Sequence, residues 1–127
     1  MLPKTITFSG RLIKRKRVDD LIRAFCMIDG YHKHRLQIIG FGPEERKLKD
    51  IVIKKQAETS IKFFGKLSHT DVLKHLCKSD IFVLPSESEG MSNALLEAMS
   101  NRNAVIARDI PANRHLIKHM NLSLIHI

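Results

Sequence analysis

The feature that most constrains the fold is a regular alternation of short β-rich segments with longer amphipathic ones. Five apolar or β-branched runs of four or five residues end at a glycine, a proline or a charged residue. The segments between them carry apolar residues at three- and four-residue spacing, the period of a helix buried on one face. Strands that alternate with helices predict a parallel sheet, because parallel neighbours need a crossover connection.

This pattern predicts the α/β class, with a Rossmann-like, doubly wound parallel sheet. Ile81–Leu84 is wholly apolar, which indicates a central strand buried on both faces. Ser68 is predicted to cap a helix, with Asp71 at the capping-box position. Strands are expected at residues 5–9, 36–39, 61–64, 81–84 and 104–107, and helices at 18–28, 44–57, 68–77, 90–101 and 112–118.

Ligands of open parallel sheets bind at the carboxyl ends of the strands. The loops that begin at Gly10, Gly40, Gly65 and Pro85 follow four of the predicted strands. We therefore expect these loops to form one cleft.

Composition restricts the kind of ligand. The chain has 127 residues, enough for one domain, and a formal net charge of +9, which favours an anionic partner. Only 6% of residues are aromatic and Trp is absent, so the aromatic platforms of a nucleic-acid binder are missing. Cys26 and Cys77 lack metal-ligand spacing and are expected to be reduced thiols of a cytoplasmic protein.

The last six residues, 122–127, resemble the translation of a sequencing adaptor, and the strand–helix alternation breaks there. We expect a domain at residues 1–121, cut short, followed by a segment that is not part of the natural protein.

Two carboxylates, Glu89 and Glu97, lie eight positions apart around a predicted helix start. Eight helical residues span about 12 Å and return to nearly the same face. That separation is too long for one reacting centre and suits the two ends of an extended ligand. The helix start between the two carboxylates would accept a phosphate.

Six segments, taken in order, resemble the C-terminal, donor-binding domain of a family 4 glycosyltransferase with the GT-B fold. The resemblance covers residues 5–116. The segments are Gly-Arg-Leu at 10–12 followed by Lys16, Gly-x-Gly-Pro-Glu at 40–44, Phe-Gly at 64–65, an apolar strand ending in Pro-Ser at 79–86, the Glu-x7-Glu signature at 89–97, and a final segment at 109–114.

The resemblance implies a retaining enzyme without a required metal or other cofactor, whose donor is a UDP-, GDP- or ADP-sugar. It also implies a missing N-terminal domain that binds a glycan or lipid-linked acceptor, so the fragment is expected to be inactive alone. No nucleic acid partner is implied, and the positive charge permits peripheral membrane contact in the parent protein.

Site residues follow from the same resemblance. Arg11 and Lys16, after Gly10, would bind the diphosphate, and Glu89 would contact the sugar hydroxyls; these three residues form the predicted catalytic set. Glu97 would accept hydrogen bonds from the ribose. The remaining predicted donor contacts are the backbone amides of Gly90, Met91 and Ser92 and the base-proximal residues Lys66 and Leu67.

Two departures from the family pattern concern the site. The family usually has Gly after the second cation, whereas this chain has Arg17, either a third cation near the phosphates or a solvated residue. The family's Glu-Gly-Phe-Gly is here Glu-Gly-Met-Ser at 89–92. Met keeps the apolar character and Ser keeps the backbone N–H.

Three other functions are alternatives to a glycosyltransferase for this sequence. A non-catalytic nucleotide- or sugar-binding module would share every motif above. An NAD-dependent oxidoreductase needs a three-glycine turn after the first strand, where this chain has only Gly10-Arg11. A basic nucleic-acid binder has only the net charge in its favour.

Overall fold

Within the described residues, five strands pair in parallel to form one open sheet. The computed structural model describes residues 2–87, 93–101 and 103–108. The longest helix in these ranges has ten residues, about half of what a membrane span requires. The elements are β1 (Thr5–Ser9), α1 (Val18–Cys26), β2 (Arg35–Ile39), α2 (Glu45–Lys54), β3 (Ile61–Gly65), α3 (His69–Cys77), β4 (Ile81–Leu84), α4 (Asn93–Ser100) and β5 (Ala104–Ala107), with 3-10 turns at Lys14–Lys16 and Tyr31–Lys33.

The predicted α/β class and parallel sheet are confirmed, and the differences concern element ends. Helix α1 stops at Cys26 and α2 at Lys54, each short of its predicted end. Ser68 caps α3 as predicted, since its Oγ accepts a hydrogen bond from the Asp71 N–H at 3.1 Å. The predicted start of the helix at 90–101 and the whole helix at 112–118 lie outside the described residues.

The strand order reverses between β1 and β4. From β1 the chain steps outward through β2 to β3, then crosses to the other side of β1 to form β4 and β5. Right-handed crossovers place α1 and α2 on one face of the sheet and α3 and α4 on the other. The reversal leaves a crevice at the carboxyl ends of β1 and β4, the usual ligand position in such sheets.

The central strands β1, β2 and β4 are largely buried on both faces, and the α3 face of the sheet contains a polar cluster. The Thr7 hydroxyl is fully buried and hydrogen-bonds the Ser79 hydroxyl. The Gln37 side-chain oxygen lies 3.4 Å from the Thr7 hydroxyl and 3.2 Å from His75 Nδ1. Because these polar groups satisfy one another, they fix the position of α3 on β1 and β2.

Three glycines bring the first three strand ends into close backbone contact. The Gly10 N–H donates to the Ile39 carbonyl at 3.0 Å, and the Gly40 N–H donates to the Gly65 carbonyl at 2.8 Å. Gly40 has a φ of 134°, and a Cβ there would lie 1.8 Å from the Gly10 carbonyl oxygen. A Cβ at Gly42 would lie 2.4 Å from the Leu12 carbonyl oxygen. Only glycine fits at either position.

We predict that Gly40→Ala lowers the free energy of unfolding by about 3 kcal/mol or more, because it combines backbone strain with a steric clash. Gly65→Ala is the matched control. Gly65 also has a positive φ, 69°, but a Cβ there would meet no atom within 4 Å. Its cost should be about 1 kcal/mol. Urea denaturation of both variants measures the difference, and equal costs would show that the contact with Gly10 is unimportant.

Candidate functional site

Backbone hydrogen bonds join the loops at the carboxyl edge of the sheet. The Leu12 N–H donates to the Phe41 carbonyl at 2.9 Å, and the Glu44 N–H donates to the Leu12 carbonyl at 3.0 Å. The Glu87 N–H, after β4, donates to the Arg15 carbonyl at 2.8 Å. With the Gly40–Gly65 bond, these contacts connect the loops after β1, β2, β3 and β4, as the sequence predicted.

Cations lie next to the crevice between β1 and β4. Arg11 directly follows Gly10 and is exposed, and Lys16 is half-buried at the end of the 3-10 turn. Within the described part of the chain, no ion pair involves Arg11. The Gly10 N–H is already bonded to Ile39, so Gly10 contributes close packing rather than a free donor. Arg11 is the residue best placed to receive an anionic group.

Glu97 lies on α4 and faces the start of α3. Its side chain is 22% exposed, and its Oε1 lies 3.1 Å from Nδ1 of His69. Both residues line a groove that also includes Leu73 and Ser100. Sequence reasoning did not pair His69 with Glu97, because 28 positions separate them and no local pattern joins them. Among the described residues, the partner of the carboxylate is the exposed His69, which a ligand hydroxyl could replace.

Lys66 and Leu67 occupy the loop after β3, with different surroundings. Lys66 is exposed, and its Nζ lies 5.4 Å from the ring centroid of Phe41. Leu67 is half-buried and packs against the core. The predicted contacts at Glu89, Gly90, Met91 and Ser92 lie outside the described residues and stay predictions.

Comparison with known proteins identifies the family. The family model of glycosyl transferases group 1 matches residues 2–124. The chain belongs to this family. An uncharacterized glycosyltransferase of Methanocaldococcus jannaschii is 34% identical over 117 residues, which are 91% of this chain and 30% of that relative. The N-acetyl-alpha-D-glucosaminyl L-malate synthase of Bacillus anthracis is 32% identical over 106 residues, covering 84% of this chain and 27% of that enzyme.

Solved glycosyltransferases of the GT-B fold share the architecture. The pneumococcal O-GlcNAc transferase GtfA, in complex with UDP and GlcNAc, superposes with a TM-score of 0.80 and 26% identity, covering 87% of this chain and 21% of that one. The catalytic domain of the Helicobacter pylori cholesterol-alpha-glucosyltransferase gives a TM-score of 0.83 at 24% identity, covering 98% and 77%. This chain spans about a third of the length of the curated relatives, or less.

The backbone is left-handed at Arg17, the position where the sequence resemblance leads us to expect a glycine. Its φ is 53° and its ψ is 40°, values that glycine adopts without cost. Its guanidinium contacts carboxylate oxygens of Asp20 at 3.1 Å, Glu87 at 3.3 Å and Asp19 at 3.6 Å. Arg17 is therefore a half-buried cation paired with acids rather than a solvated residue, and its nearness to the phosphates stays a prediction.

Asp20 connects α1 to the loops after β4 and β5. It accepts hydrogen bonds from Arg17 and, at 3.2 Å, from Arg108, whose Nε donates to the Pro85 carbonyl at 2.8 Å. The hydrogen bond from Arg17 holds the pKa of Asp20 below its usual range, the charges of Arg17 and Arg108 act in the same direction, and partial burial opposes them. Sequence reasoning missed this network because its members are distant in the chain.

We predict that Asp20→Asn lowers the free energy of unfolding by about 1 kcal/mol at pH 7, a modest loss because the group is partly exposed. Because folding lowers the pKa of Asp20, the charged carboxylate stabilises the folded state at any pH above the unfolded-state pKa of an aspartate, about 3.9. The effect is lost as pH falls through the lower folded-state pKa. Urea denaturation between pH 7 and pH 3 should show the two proteins converging in acid.

Asp50→Asn is the control for this prediction, because Asp50 is exposed on α2 and belongs to none of these ion pairs. Its effect should be near zero at every pH. An Asp20→Asn deficit that persists undiminished at pH 3 would contradict the electrostatic explanation.

Proposed function

We propose that this chain is the donor-binding half of a retaining glycosyltransferase. The parent enzyme would transfer a hexose from a UDP-, GDP- or ADP-sugar to a glycan or lipid-linked acceptor. The observation that carries the proposal is the exposed Arg11 at the point where the strand order reverses. Arg11 lies in the loop that also contains Lys16 and that bonds to the loop after β4 through the Arg15 carbonyl. Crystals of the related GtfA contain UDP and GlcNAc, which supports a nucleotide-sugar donor.

The mechanism follows from the charge that develops when the glycosidic bond to the diphosphate breaks. Arg11 and Lys16 offset the negative charge on the leaving diphosphate, without a required metal ion. Glu89 and the backbone amides of Gly90, Met91 and Ser92 position the sugar, and Glu97 accepts hydrogen bonds from the ribose hydroxyls. Such a site makes two contributions to catalysis. It stabilises the negative charge of the leaving group, and it holds the donor sugar in a fixed orientation.

Glu97 is available for this role because its present partner is weakly held. His69 is 68% exposed, and an ion pair at such a position contributes about 1 kcal/mol or less. Two hydrogen bonds from ribose hydroxyls to the Glu97 carboxylate would contribute more than this one exposed contact, since each hydrogen bond to a charged group contributes about 1.5–3 kcal/mol. A bound ribose would therefore share or displace the imidazole.

We predict that the chain binds UDP, GDP or ADP, and that Arg11→Ala and Glu97→Gln each weaken binding about tenfold to a hundredfold, the size expected for one charge-assisted hydrogen bond. Isothermal titration measures the affinities. Arg35→Ala and Glu58→Gln are matched controls, because both residues are exposed near the amino ends of the strands, opposite the site. These controls should retain wild-type affinity.

A folded chain that binds none of these nucleotides would refute the proposal. Binding that is lost in Arg11→Ala and Glu97→Gln, but without sugar transfer after fusion to an acceptor-binding domain, would favour the alternative of a non-catalytic nucleotide- or sugar-binding module. For the isolated chain we expect no transfer. The anomeric configuration of the fusion's product, measured by NMR, tests retention.

A further inference from the structure

Phe41 is an exposed aromatic ring in the loop after β2. Six large apolar side chains of the described residues are exposed, and Phe41, at 52%, is the one that lies in a loop leaving the carboxyl end of a strand. Exposing a large ring in water is unfavourable, and nothing in the packing of the core requires it. The site already described does not use this ring.

The backbone that carries Phe41 is fixed on both sides. Its carbonyl accepts the Leu12 N–H at 2.9 Å, and its neighbours Gly40 and Gly42 are pressed against the loop after β1. The ring therefore projects from a rigid loop rather than a mobile one. A rigid aromatic surface binds a planar group with little loss of conformational entropy.

Lys66 shows that the ring can be contacted. Its Nζ lies 5.4 Å from the ring centroid, within the range of a cation–π interaction. At an exposed site, a cation–π interaction makes the contact about two- to fivefold more favourable, expressed as an equilibrium constant. Stacking of a nucleobase on an aromatic side chain corresponds to about five- to 150-fold. A nucleobase would thus displace the Lys66 ammonium group from the face of the Phe41 ring, and the ammonium group would then lie at the edge of the base.

Phe41 also lies at a suitable distance from the phosphate-binding cations. Its strand is the immediate neighbour of β1, which leads to Arg11, and of β3, which leads to Lys66. Adjacent strands are about 4.8 Å apart, so about 10 Å separate the ends of β1 and β3. A nucleoside diphosphate extended along this edge would hold its phosphates near Arg11 and its base near Phe41.

We propose that Phe41 is the surface on which the nucleobase stacks, and that Lys66 donates a hydrogen bond to a carbonyl oxygen on the base edge. The proposal rests on the nucleotide-sugar function above and adds base specificity to it. Lys is a donor only. Uracil O4 and guanine O6 accept such a bond, whereas adenine and cytosine present amino groups at the corresponding positions. The site is therefore selective for uracil or guanine nucleotides.

Isothermal titration of the 127-residue chain with UDP, GDP, ADP, CDP and inorganic pyrophosphate tests this. The wild type should bind UDP or GDP at least fivefold more tightly than ADP and CDP. Phe41→Leu, which keeps apolar bulk but removes the ring, should weaken UDP or GDP binding about tenfold and leave pyrophosphate binding unchanged. Phe41→Trp, which keeps an aromatic ring, should bind UDP or GDP as tightly as the wild type. Lys66→Met should make the affinities for the four nucleotides nearly equal.

Two variants serve as controls. Ile53→Ala removes another exposed apolar side chain, near the end of α2 at the opposite edge of the sheet. Lys62→Met removes an exposed lysine that lies within β3 rather than in the loop after it. Neither should change affinity or base preference. A Phe41→Leu variant that binds UDP and GDP like the wild type overturns this inference and leaves the donor-binding function intact. A folded wild type that binds no nucleotide overturns both.

Discussion

The structure depends on the close approach of the ends of β1 and β2, which is possible because residue 40 is a glycine. The backbone bonds from Gly10 to Ile39 and from Gly40 to Gly65 extend the sheet beyond its last regular pairs. Because Gly40 has no side chain, the Gly10 carbonyl can occupy the space that a Cβ at residue 40 would fill. Because these loops touch through backbone atoms, their side chains are left to project from one common edge.

That edge separates its charges into two groups. Arg17 and Arg108 are neutralised by Asp20 and its neighbours, and they connect α1 to the loops after β4 and β5. Arg11 has no such acid within the described chain, although the net charge of +9 leaves many cations in excess. Arg17 and Arg108 differ from Arg11, the proposed diphosphate ligand, in their carboxylate neighbours and not in their intrinsic chemistry.

Sequence patterns predicted the elements well because their causes are local. The period of apolar residues predicted each strand and α-helix that the described residues contain, and the Ser68 cap needs only the N–H three residues later. The Gly-x-Gly-Pro-Glu motif at 40–44 is visible in the sequence, but the need for its first glycine comes from a contact with a loop 30 residues earlier. The same limit explains why His69 was not paired with Glu97, nor Asp20 with Arg108, 88 positions away.

The sequence is enough to predict the α/β class, the order of elements, the family resemblance and the residue types available for a phosphate, a ribose and a sugar. These follow from periodicity and from short motifs, whose physics acts within a few residues. The tertiary structure decided which cations are neutralised, which partner holds Glu97, and that Phe41 stands exposed beside Lys66. Those outcomes depend on distances between strand ends, and such distances exist only after β1, β2, β3 and β4 have paired.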